Sequence, residues 1–175
     1  MPPGAILFDG GWLPVERPRA LPTPSLVRHV QHEIRSGRFP LDIPAELDRR
    51  DVAWWRLDGR ARAVEARLAE YRRENFLLVD GDLWAAGRVV APAAGGGAAF
   101  ENRVAADYWW RTASGGPLRI DGAPAPNPVH LADGRHRAAW EGAGALVLSV
   151  VPLDRWTRAL EQPLRSAAHR RAGGL

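Results

Sequence analysis

The chain contains neither cysteine nor lysine. Without thiols it can form no disulfide, no thiolate metal site and no cysteine nucleophile. Without lysine, all 24 basic side chains are arginines, permanently charged and forked to match carboxylate or phosphate. Long apolar runs are missing too, and none approaches the ~20 residues of a membrane-spanning helix. The first residues show no basic start followed by an apolar run, the mark of a signal peptide. These absences point to a cytoplasmic protein with no membrane partner. They also explain the pI of 10.8: with so little titrating between histidine and guanidinium, a net charge of +4 suffices.

What is present is ordinary for a folded domain, with 46% apolar and 25% charged residues over 175 positions. That length suits one domain, or one domain with a sizeable extension. Arginine is concentrated unevenly. Residues 49–75 hold eight arginines against five acids, and residues 135–175 hold seven against three. Such segments admit an anionic partner, DNA or RNA among them.

Along the chain, six prolines in the first 24 residues read as an irregular lead-in with a short strand at Ala5–Phe8. Ser25 is placed to cap a helix running to Ser36, with Gly37 as its stop. Pro40 and Pro44 punctuate a loop, and Val52–Leu57 reads as a strand. The spacing of Ala61, Val64, Leu68 and Tyr71 predicts one helix over 60–75. Phe76–Val79, the turn Asp80-Gly81 and Leu83–Val90 then form a hairpin. The glycine-rich run 92–99 is the best linker, dividing an N-terminal extension (1–98) from a domain at 99–160 and a flexible tail at 161–175. In that domain the expected order is a helix at 101–113 stopped by Gly115-Gly116-Pro117, then strands at 118–120 and 129–132. A helix follows Arg137, then a strand at 146–151 and a helix at 154–162.

The segment with chemistry is Asp133-Gly134-Arg135-His136-Arg137, at an expected strand-to-helix junction. Gly134 permits a sharp turn and a close ligand approach. The first amides of a following helix, with its dipole, favour an anion. Arg135 and Arg137 add charge-assisted bonds to phosphate oxygens, and His136 adds a donor or moves a proton near neutral pH. Asp133 is placed to hold a metal or to cap the helix.

This segment, with Ala138-Ala139, Gly142-Ala143 and Leu146–Val150 after it and Gly115–Ile120 and Val129–Ala132 before it, resembles the ParB/sulfiredoxin-like superfamily. The resemblance spans about residues 100–152. It implies an α/β (α+β) domain with a small mixed sheet and helices, preceded by a helical and hairpin region. It also implies a nucleotide phosphate held by Gly134, Arg135, His136 and Arg137, with Mg²⁺ and ATP or another NTP. An NTP hydrolase or phosphotransferase is the leading expectation. A DNA-binding or nuclease protein and a non-catalytic interaction module are the alternatives. Several enzymatic members use an acid upstream of the loop, and Glu101 stands where such a group would come. His136, Glu101 and Asp133 are thus the expected catalytic set, with Asp133 at the metal and Arg103 as a further phosphate ligand. Lacking cysteine, the chain cannot perform sulfiredoxin chemistry.

Other patterns carry less. His29, His32 and Glu33 have helical metal-site spacing but no third ligand motif. Gly95-Gly96-Gly97 has no Lys-Ser/Thr after it and is no Walker loop. Trp54-Trp55 and Trp109-Trp110, each beside an arginine, suit either core packing or base stacking.

Overall fold

A computed structural model describes residues 6–8, 28–40, 42–93, 97–142 and 144–153. The Ser25 cap, the helix expected at 154–162 and the tail lie outside them. The mixture of helices and strands is α+β, with the chain dividing into two compact units, Met1–Ala86 and Gly87–Leu175.

The first unit holds all the helices among the described residues. Strand β1 (Leu7–Phe8) is followed by α1 (Arg28–Ser36), which ends at Gly37 with φ +74°. Helix α2 (Ile43–Arg49) forms where a proline-punctuated loop was expected. Asp42 caps it by accepting from the Ala45 amide at 3.2 Å. Pro44 sits in its first turn, where the missing N–H has no intrahelical partner to lose. Strand β2 (Trp54–Arg56) follows, and the predicted helix over 60–75 proves to be two. Asp58 caps α3 (Gly59–Arg62), and α4 (Glu65–Asn75) restarts after Val64, which stands at its N-cap with φ −112°, ψ 0°. The expected hairpin is present as β3 (Phe76–Asp80) and β4 (Leu83–Val90). The first half of β4 lies between β3 and β2, and β1 runs parallel to β2.

Trp55 centres this unit's core. Its ring lies 4.5 Å from that of Phe8 and 5.5 Å, edge-on, from Phe76. Trp54 is buried as well, so this pair serves packing and offers no ring for a base. Arg72 is buried with its guanidinium 3.8 Å over the Trp84 ring and its Nε 3.0 Å from Glu65.

The second unit is built from strands throughout its described residues. Beyond the second half of β4 come β5 (Ala98–Asn102), β6 (Ala106–Thr112), β7 (Leu118–Ile120) and β8 (Ala123–Pro124). They are followed by β9 (Val129–Leu131), β10 (Gly134–Trp140) and β11 (Leu146–Ser149). One antiparallel sheet has the order β4-β11-β6-β9 and the other β5-β10-β7-β8. Phe100, Leu118, Ile120 and Trp140 from the second sheet and Tyr108, Leu131, Leu146 and Leu148 from the first form one buried cluster.

Two expected helices are therefore strands. Between Phe100 and Thr112 the even positions turn inward: Phe100, Asn102, Val104, Tyr108 and Thr112 are buried, while Glu101, Arg103, Asp107 and Arg111 are exposed. The period is two, and the ladder with β10 and β11 satisfies a backbone that a helix would have satisfied internally. After Arg137 the same alternation continues, with Ala138 and Trp140 buried and Ala139 exposed.

Candidate functional site

Strand β10 is the middle of its sheet, so its pleat decides what the Gly134–Trp140 side chains meet. Arg135 and Arg137 stand on the exposed face, two residues and thus about 7 Å apart along the strand. His136 points the other way, its ring centroid 5.7 Å from that of Phe100. Among the described residues neither Arg135 nor Arg137 has an ion-pair or hydrogen-bond partner for its guanidinium. A cavity of about 700 Å³ opens here, walled by both arginines and Asp121 with Gly97, Ala99 and Ala139.

The expected amide nest is not formed. The segment does not start a helix, so no dipole or free first-turn amides serve an anion; Arg137 N–H donates to Asp121 Oδ1 at 2.8 Å. Any anion here is held by side chains. Gly134 has φ +116°, which favours glycine, yet a Cβ there would meet nothing within 4 Å. It permits the bend from Asp133 into β10 and does not shape a cradle. Asp133 is exposed in that bend, and no cluster of three metal-ligating side chains occurs among the described residues.

His136 is held at both ring nitrogens. Nδ1 lies 2.7 Å from Asp121 Oδ2 and Nε2 lies 3.0 Å from the Ala132 carbonyl oxygen. Both partners only accept, so both bonds require both N–H groups, which is the imidazolium. Burial pushes the imidazole pKa down. The bonds to Asp121 and Ala132, helped by the charges of Asp121 and Glu101, outweigh burial and raise it above the ordinary value. Asp121 is correspondingly lowered, first by His136 and then by the Arg137 amide. In this arrangement both His136 nitrogens are engaged in bracing the strand, and neither is left free to move a proton.

The remaining expected residues sit around this core. Glu101 is mid-strand on β5, directly across from Arg135 in the register, and not at a helix start. Arg103 lies past the end of β5 in the turn before β6 and does not line the cavity. The turn itself is fixed by buried Asn102, whose Nδ2 donates to the carbonyls of Val104 (2.8 Å) and Ala132 (2.7 Å). The structure thus gathers Arg135, Arg137 and Glu101 on one face, puts His136 behind them, and leaves Asp133 and Arg103 at its margin.

Asp121 was missed by the sequence reading. Its signal was the dipeptide Asp121-Gly122 between Ile120 and Ala123, a two-residue hairpin turn. With φ +52°, Asp121 adopts the left-handed conformation that aspartate tolerates better than most residues. In that geometry its carboxylate faces both His136 and the Arg137 amide. No family model, curated protein or solved structure matches the chain.

Proposed function

We propose that the second unit binds a phosphate-bearing ligand of nucleotide size on the exposed face of β10. One observation carries this reading: Arg135 and Arg137 stand side by side, without partners among the described residues, in the wall of a 700 Å³ cavity. That volume falls within the roughly 300–1,000 Å³ of small-ligand sites. Two like charges about 7 Å apart repel by roughly 0.6 kcal/mol even in water. A phosphate between them removes that repulsion and accepts the forked donors of both. Ala99, Ala139 and Gly97 leave the rest of the floor low enough for the bulk of a nucleotide.

Of the expected activities, this geometry serves the binding step. An NTP hydrolase or phosphotransferase needs a group to orient or deprotonate a nucleophile. His136 has both nitrogens occupied. Asp121, in the same cavity wall, is engaged by His136 and the Arg137 amide, and Glu101 stands across from Arg135 in the strand register. In this reading Mg²⁺ accompanies the ligand's own phosphates, with Glu101 as the carboxylate across the ladder from Arg135.

A thermal-shift panel of nucleotides, inorganic phosphate and pyrophosphate, each with and without Mg²⁺, tests the proposal. A ligand at about a hundred times its dissociation constant should add about 2.7 kcal/mol of stability. No shift with any phosphate-bearing compound, at concentrations up to millimolar, would contradict it.

A further inference from the structure

Among the described residues of the first unit, most arginines between positions 49 and 75 differ from those of α1. In α2, β2 and α4 they are answered within the unit: Arg49 and Arg50 by Glu46, Arg72 by Glu65 and Arg56 by Asp82. Arg62, Arg67 and Arg73 donate to backbone carbonyls. Much of the basic 49–75 segment is therefore spent on the fold. Helix α1 is different. Its exposed residues are Arg28, His29, His32, Arg35 and Ser36, followed by Arg38 beyond the Gly37 stop. Its one carboxylate, Glu33, is half-buried at the flank, 3.6 Å from Arg38.

Arg28, His32 and Arg35 recur at intervals of four and three, so they share one face over about 10.5 Å of helix axis. Arg38 joins this face, its Nη2 donating to His32 Nε2 at 2.9 Å. The Arg67 guanidinium arrives from α4 to bond the Arg35 carbonyl at 3.1 Å, adding a fourth positive charge. Arg28 has no partner among the described residues, and Arg35 bonds only the Gln31 carbonyl through Nε.

We infer that this face of α1 is a second anion surface, and that it docks on the phosphate backbone of a double-stranded nucleic acid. Charge complementarity decides the class of partner: a row of arginines without exposed acid on the helix matches a row of phosphates. The alternative reader of a basic amphipathic helix, a lipid surface, needs the apolar side free to enter the bilayer. Here that side is taken, with Ile34 buried and α1 packed on α4. Nothing on this face reaches for base edges beyond the arginines themselves, so binding is by charge and without sequence preference.

The test is anisotropy of a labelled DNA duplex of about two helical turns, titrated with the full chain between ~50 and ~200 mM salt. Three or four phosphate contacts predict a log–log salt slope near −3. The Arg28→Glu/Arg35→Glu variant should bind at least tenfold more weakly, with the slope reduced by roughly two. Arg28→Gln/Arg35→Gln, which keeps helix propensity, should show a loss in the same direction at unchanged melting temperature. The inference is overturned if the wild type fails to bind at the lowest salt, or if both α1 variants bind unchanged. It is overturned equally if phosphatidylserine vesicles are bound while the duplex is not.

Discussion

Replacing Asp121 by alanine should lower stability by about 2 kcal/mol at pH 6, a loss that shrinks as the pH rises. The carboxylate makes two bonds that hold β10 to the turn after β7, one to the His136 cation and one to the Arg137 amide. Hydrogen bonds to charged groups contribute roughly 1.5–3 kcal/mol, and the half-exposed position of Asp121 puts this pair at the low end. Alanine at φ +52° adds strain that aspartate bears more easily.

The pH dependence follows from the two shifts. His136 is raised on folding, so its contribution is complete below the ordinary histidine value of about 6.5 and is lost as pH climbs through its folded value. Asp121 is lowered, so its contribution is present above the ordinary aspartate value of about 3.9 and is lost as pH falls through its folded value. The pair therefore stabilises most between about pH 4 and 6.5. Melting curves of wild type and Asp121→Ala should be furthest apart in that window and draw closer as the pH rises above it, with the Arg137 amide bond and the backbone strain leaving a remaining gap. Parallel curves across the whole range would show that the ring is not held as a cation.

A larger loss is expected at Gly144. It has φ +104°, and a Cβ there would lie 2.5 Å from the Ala113 Cβ, with backbone of the same residue at 3.9 Å. Gly144→Ala combines backbone strain with overpacking that the β6–β7 turn must absorb, together about 3 kcal/mol. Gly134 is the control. Its φ is also positive, but the space around it is open, so Gly134→Ala should cost only the strain, about 1 kcal/mol. Urea titrations of the two variants separate the terms. Equal losses would mean that the approach of Ala113 is relieved without cost.

The first unit was more legible in the sequence than the second. The hairpin at 76–90 carried strand composition on both sides of a turn dipeptide, and the helix ending at Gly37 carried its own stop. Gly37 signals through backbone geometry alone, which no packing partner alters. In the second unit the period-two pattern at 100–112 was present but disguised. Asn102 and Thr112 are polar residues on the buried side, satisfied by bonds that only the folded loops supply. His136 hid β10 in the same way, since a titratable ring at an inward position reads as chemistry before its partners are known. The arginine pair was visible in the sequence, whereas its geometry was not: a helix start would have added amides to it, and a strand adds a flat open face. Asp121, fifteen residues away in sequence, could be tied to His136 only by the register of β7 on β10.

The central claim is that Arg135 and Arg137 act together on one phosphate group. Calorimetric titration of the best ligand from the thermal-shift panel into wild type, Arg135→Ala, Arg137→Ala and the double variant tests it most directly. Each single change should remove a charge-assisted bond of about 1.5–3 kcal/mol, a roughly ten- to hundredfold loss of affinity, at nearly unchanged melting temperature. The double variant should lose less than the sum, because either arginine alone lacks the partner that completes the clamp. Single variants that bind as tightly as the wild type would contradict the account, as would variants that lose stability and keep the ligand.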